Sequence, residues 1–230
     1  MNRKPMVQQP HTFQATITKQ VALKYLLWVP KDYCPGTAKH YPFILFLHGS
    51  GERGRDLEEI KRFGIPKILE RQDDLPFIVV SPQCPANSDW GVLMDALLAL
   101  LDHAIANYPV DRRRIYLTGL SMGGRGAYQL AFIAPHYFAA LAVISARRPD
   151  VLRSPGRAST LRHIPIWIFH GAQDARTPVT EAQEMDKALH ECDGKVRLTI
   201  YPEAEHDAWT RAYANPKLYE WLLAQEREIE

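Results

Sequence analysis

The chain has 230 residues, 46% of them hydrophobic, which is enough to bury a full core at the upper range for one domain. Its 28 basic and 26 acidic side chains leave a formal charge of +2, too even a balance for a nucleic-acid footprint. Cys34, Cys84 and Cys192 form no Cys-x-x-Cys, so neither a zinc site nor a disulfide framework is indicated, although a Cys34–Cys84 bridge stays open.

Residues 1–11 read as an N-terminal extension and 12–230 as a single domain. Met1 to Pro10 lacks the apolar stretch of a signal peptide, and no run approaches the roughly 18 residues that span a bilayer; no membrane partner and a cytoplasmic location are expected. Phe13 to Thr18 and Ala22 to Val29 alternate as an antiparallel pair at a sheet edge would. Apolar runs then predict strands at 43–48, 77–81, 114–118, 139–144, 165–170 and 196–201, for a total of eight with the edge pair. Helical patterns fall between them at 56–70, interrupted by Gly64 and Pro66, and at 90–107, 122–133, 178–192 and 216–228. Strands alternating with helices predict a mostly parallel, doubly wound α/β sheet. No segment is long enough for a large lid, and Arg147 to His163 reads as a short flap.

The most informative stretch is Arg114 to Gly126, where a β-rich run breaks into Gly119-Leu120-Ser121-Met122-Gly123 and resumes as a helix. Side-chain-free neighbours let strand and helix approach closely while a serine is aimed outward from a strained turn, so Ser121 is the expected nucleophile. A serine hydroxyl needs a base, and the base needs an orienting acid. Asp174 follows the strand Ile166 to Gly171, and His206 follows the strand Val196 to Tyr201, in the chain order serine, acid, histidine. Glu205 and Asp207 compete as the acid, but they adjoin the base and could hardly reach its far ring nitrogen. Most of the other eight histidines, His48 and His170 among them, read as surface or packed residues. Two amide donors are required for a tetrahedral oxyanion: the N–H of Met122, and that of Ser50 with Gly51 as its rival, on the loop His48-Gly49-Ser50-Gly51. Trp90 and Trp209, with Gly51, are candidates to line a substrate pocket, and core packing is the alternative for both tryptophans. Glu52 and Arg53 are expected to brace the oxyanion loop by pairing with neighbours such as Arg125.

Leu47-His48-Gly49-Ser50-Gly51-Glu52-Arg53-Gly54, Ser81-Pro82-Gln83-Cys84-Pro85, Gly119 to Gly124, His170 to Asp174 and His206-Asp207-Ala208-Trp209 resemble an α/β-hydrolase of the carboxylesterase and dienelactone-hydrolase-like branch. Within it the pattern is similar to the small group labelled predicted peptidases, related to feruloyl and acetyl esterases. The resemblance runs from about residue 12 onward and implies an esterase of small or aryl carboxylic esters. Acyl transfer through a Ser-His-Asp triad needs no cofactor and no metal, and the expected partner is a small-molecule ester. The chain departs from the pattern at Ser145-Ala146-Arg147-Arg148-Pro149-Asp150, where a glycine-rich stretch is expected; the two cations suggest a carboxylate or sugar near the rim. A peptidase of the same fold and a non-catalytic binding protein are the rivals. A nucleotide site is excluded, since no Gly-x-Gly-x-x-Gly or Gly-x-x-x-x-Gly-Lys-Ser/Thr follows a strand.

Overall fold

The computed structural model describes residues 10–34, 36, 38–72, 74–154 and 156–228, so most of the expected N-terminal extension lies outside the described residues. Seven strands form one sheet in the order β1-β3-β2-β4-β5-β6-β7. They are β1 (Tyr25–Trp28), β2 (Tyr41–Leu47), β3 (Ile78–Pro82), β4 (Val110–Leu120), β5 (Ala140–Ile144), β6 (Ile166–Gly171) and β7 (Val196–Tyr201). Only β1 runs antiparallel, against β3; every other pairing is parallel. All residues of β2, β3, β5 and β6 are buried, as befits strands covered on both faces.

Alternate strand residues feed two cores. Phe43, Leu45 and Leu47 of β2 point into one with helices α2 (Met94–Asn107), α3 (Met122–Ile133) and α4 (Thr180–His190). Ile44 and Phe46 point into the other with α1 (Gly64–Leu69), α5 (Trp209–Tyr213) and α6 (Pro216–Leu223). The strand period of two thus distributes the helices over both faces.

The eighth strand is absent among the described residues. Phe13 and Ile17 are 91% and 89% exposed, so the alternation there has neither a strand partner nor a core to face, and the edge strand shortens to β1. The helix expected over 56–70 is two pieces, a 3-10 helix at Leu57–Arg62 and then α1, separated where Gly64 turns to φ 68° with Phe46 packed against it. A short helix not foreseen, α5, starts at Trp209. The stretch Trp90–Asn107 does reach 18 residues at a mean hydropathy of 1.2, contrary to expectation. Its Met94, Leu97, Leu101 and Ala104 are buried against the sheet, as in a core helix.

Candidate active site

The functional side chains gather at the carboxyl ends of the parallel strands, where loops are free to vary above a rigid sheet. Ser121 sits between β4 and α3 with φ 52° and ψ −116°, a conformation that costs on the order of 1–3 kcal/mol for a residue with a Cβ. Its neighbours explain how the strain is held. A Cβ on Gly123 would lie 1.9 Å from the Leu47 carbonyl oxygen, and one on Gly119 would lie 2.4 Å from the Gly123 carbonyl oxygen, so only glycine lets the helix close onto the strands. The Ser121 amide is also tied to Ile144 O of β5 at 2.9 Å.

Three side chains far apart in sequence meet there. Ser121 Oγ lies 2.9 Å from His206 Nε2, and His206 Nδ1 lies 2.7 Å from Asp174 Oδ2. Asp174 is 6% exposed, and its Oδ1 accepts the N–H groups of Arg176 and Thr177 at 2.9 and 2.8 Å. With one oxygen held by backbone donors, the other has its direction set toward the imidazole. Gly171 serves this approach, since a Cβ there would meet Glu205 O at 2.0 Å; the loop carrying His206 rests directly on the end of β6. Asp207 turns away, accepting the N–H and hydroxyl of Thr210 at the start of α5.

His170, expected to be a surface or packed residue, is a packed neighbour of Asp174. It is fully buried, its Nε2–H donates to Thr177 O at 2.8 Å, and the same nitrogen stands 3.3 Å from Asp174 Oδ2. It thereby closes the Asp174 to Thr177 turn from beneath. The spacing His170-x-x-x-Asp174 was its only signal in the sequence.

The loop after β2 lies against the turn, with a Cβ on Gly49 falling 2.8 Å from Leu120 Cδ1. Ser50 opens a 3-10 helix and Met122 opens α3, so each N–H belongs to the helix-start amides that have no partner within the helix. Gly51 faces open space, with nothing within 4 Å of a Cβ there. His48 locks this loop: Nδ1 donates to Gly49 O at 2.6 Å and Nε2 accepts the Cys84 N–H at 2.9 Å. Cys84 is buried as a thiol, so no Cys34–Cys84 bridge forms, and burial pushes its pKa up to about 11.

Burial pushes His48 down from 6.5 to about 4, which matches a ring that donates at one nitrogen and accepts at the other. Between those values the unfolded chain binds a proton that the folded chain refuses. Stability tied to this group is therefore complete above pH 6.5 and is lost as the pH falls toward 4, by about 3 kcal/mol. Glu52, pushed up by burial, works in the opposite sense, so the check is a difference. Urea unfolding at stepped pH is expected to show a shallower acid loss for His48→Gln than for the wild type; parallel slopes would contradict the assignment.

Several expected roles change. Trp90 is 1% exposed and packs on Gly126 and the His48 ring while its Nε1 donates to His48 O at 2.9 Å. It is a brace within the core, because the Cβ-free surface of α3 draws it inward, and lines no pocket. Trp209 is 9% exposed, edge-on to His206 at 5.1 Å between ring centroids and to Phe63 at 5.8 Å, so it packs the imidazole. Arg53 braces the loop after β2 through backbone carbonyls, and Arg125 faces Asp150 at 3.7 Å instead of Glu52. Arg148 is drawn off the rim onto Glu184 of α4, and Arg147, with its side chain 67% exposed, lies 3.7 Å from Glu181. Arg153 also pins the flap to α4, on Glu181 at 2.5 Å.

A parallel sheet wound on both faces, with a serine at the sharp strand-to-helix turn and an acid and a histidine on later loops, defines the α/β-hydrolase fold. Residues 88–217 match the phospholipase/carboxylesterase family model, more than half of the chain, and the protein belongs to that family. It is similar to the crystal structure of a thermostable esterase, at 33% identity with a TM-score of 0.76 over 89% of this chain and 60% of that one. Over 118 residues, 48% of this chain and 43% of the relative, it is 30% identical to a carboxymethylenebutenolidase-like protein of Salmonella typhimurium. It is 25% identical over 85% of its length to a bifunctional acetylxylan esterase/xylanase of Neocallimastix patriciarum, of which it spans 27%. The chain thus spans less than half the length of these two curated relatives.

Proposed function

We propose that the protein is a serine carboxylesterase acting on small or aryl carboxylic esters through an acyl-enzyme. The observation that carries this is the hydrogen-bonded chain Ser121 Oγ, His206, Asp174, at 2.9 and 2.7 Å, standing on the strained turn beside the Ser50 and Met122 amides. In this reading His206 Nε2 takes the proton as Ser121 Oγ attacks the ester carbonyl, and Asp174 holds the proton on Nδ1 and stabilises the imidazolium. The tetrahedral oxyanion is held by the Ser50 and Met122 N–H groups; its collapse expels the alcohol, which receives the proton from His206. Water, deprotonated by the same imidazole, then releases the acid. The esterase structure and the acetylxylan esterase relative favour an ester over an amide. The open ground above Gly51 and the pinned flap suit short or exposed acyl groups.

A fluorophosphonate is expected to add one phosphonyl group per chain, located on Ser121 by peptide mass spectrometry. A panel of p-nitrophenyl, acetyl-sugar and hydroxycinnamoyl esters, beside matched amides, then sets substrate class. An adduct on another residue, or amides turned over faster than esters, would overturn the reading.

A further inference from the structure

Arg53 is exposed, yet its guanidinium is committed to two backbone carbonyls on different loops: Nε donates to Ser50 O at 3.0 Å and Nη1 to Ser88 O at 3.1 Å. The acyl-transfer steps give it no role. Peptide groups are planar and trans, so the carbonyl and N–H of one plane point in opposite directions, and holding the oxygen orients the hydrogen. Gly49 O is held by His48 Nδ1 at 2.6 Å, which turns the Ser50 N–H the other way. Ser50 O is held by Arg53. Both planes that meet at the Ser50 α-carbon are therefore held, one by His48 and one by Arg53, and with them the φ and ψ of Ser50.

The same pattern extends along the loop. His48 O accepts Trp90 Nε1 at 2.9 Å, and Glu52 O accepts Gln83 Nε2 at 3.1 Å. Of the four side chains that hold these carbonyls, His48, Gln83 and Trp90 are buried and shared with the core, and Arg53 alone is exposed. Its second bond reaches Ser88, two residues before Trp90, which packs on Gly126 of the helix that starts at the nucleophile turn. The guanidinium thereby adds a link between the oxyanion loop and that helix beside the Trp90 bond to His48 O.

We propose that Arg53 is a positioning residue for acyl transfer, locking Ser50 so that its N–H stays aimed at the oxygen that acquires negative charge. This rests on Ser121 as nucleophile and Ser50 as an oxyanion donor. An oxyanion donor acts on charge present only in the transition state, so loosening it lowers kcat and leaves KM nearly alone. Deleting such a donor outright costs about 100- to 1,000-fold in kcat, and freeing one that remains present costs less, about 10- to 100-fold.

The test is Arg53→Ala in the full chain, with kcat and KM on p-nitrophenyl acetate, affinity for an aryl trifluoromethyl ketone, and the thermal midpoint. The ketone forms a tetrahedral adduct on the serine whose oxygen carries the charge in question. Turnover and ketone affinity are expected to fall by the same 10- to 100-fold factor with KM within about twofold. Added methylguanidinium should restore part of both, and Arg53→Lys, lacking the fork that spans two carbonyls, should recover less than half of the loss. A purely structural role would lower the midpoint and leave turnover of the folded enzyme untouched. Wild-type kcat and ketone affinity in Arg53→Ala, or a loss confined to KM, would overturn the proposal while leaving the esterase reading intact. Failure of the wild type to take a fluorophosphonate at Ser121 would overturn both.

Discussion

Ser121→Ala is expected to lower kcat on a short aryl ester by about a millionfold, the scale seen when a serine nucleophile is removed from a working triad. In the proposed reaction the hydroxyl oxygen forms the covalent bond, and no other described side chain of the site takes its place. His206 Nε2, 2.9 Å from where the oxygen stood, would face a methyl group with no proton to take. The main-chain donors and the fold remain, so a residual rate over water is expected, and the thermal midpoint should move by only a few degrees. Stopped assays with the variant at high concentration, purified away from any wild-type carry-over, measure this directly. A variant retaining a tenth of wild-type turnover would exclude Ser121 as the nucleophile.

The second large effect is expected from Asp174→Asn, at about ten-thousandfold in kcat. The reasoning depends on which oxygen is held by what. Oδ1 takes two backbone N–H groups, from Arg176 and Thr177, so an asparagine must keep its carbonyl there and turn its amide nitrogen toward His206. A donor then faces His206 Nδ1 at the position where a carboxylate now accepts at 2.7 Å. The imidazole must put its proton on Nε2, and that nitrogen no longer accepts the serine proton. KM and stability should change little because the backbone bonds survive. A loss in kcat smaller than tenfold would mean that the tautomer is set by something other than Asp174.

Much of this arrangement was legible in the residues, for reasons that differ from part to part. The glycines around Ser121 are visible because close backbone contact admits no substitute: Gly119 and Gly123 each leave under 2.5 Å for a Cβ. Asp174 and His206 were placed by chain order, each on a loop after an apolar run, and the structure brings both to Ser121. What local pattern hides is the partner across the fold. Trp90 looks equally suited to a pocket wall or a core, and the deciding feature is Gly126, 36 residues on, whose missing side chain makes room for it. Arg147 and Arg148 look like free cations until Glu181 and Glu184 of α4 come alongside. Phe13 to Thr18 alternates as a strand does, but alternation states only which face would be buried, and no surface is there to bury it. His170 reads as a surface or packed residue and is packed, but its bond to the Thr177 carbonyl leaves no trace in side-chain pattern.

The imidazole is delivered by the loop after β7, an edge strand, which is bonded on one side only and is half-buried along most of its length. Margins of this kind open locally at a smaller free energy than the interior. Heat inactivation is thus expected to begin at this border of the sheet, and chemistry should cease while the central strands are still intact.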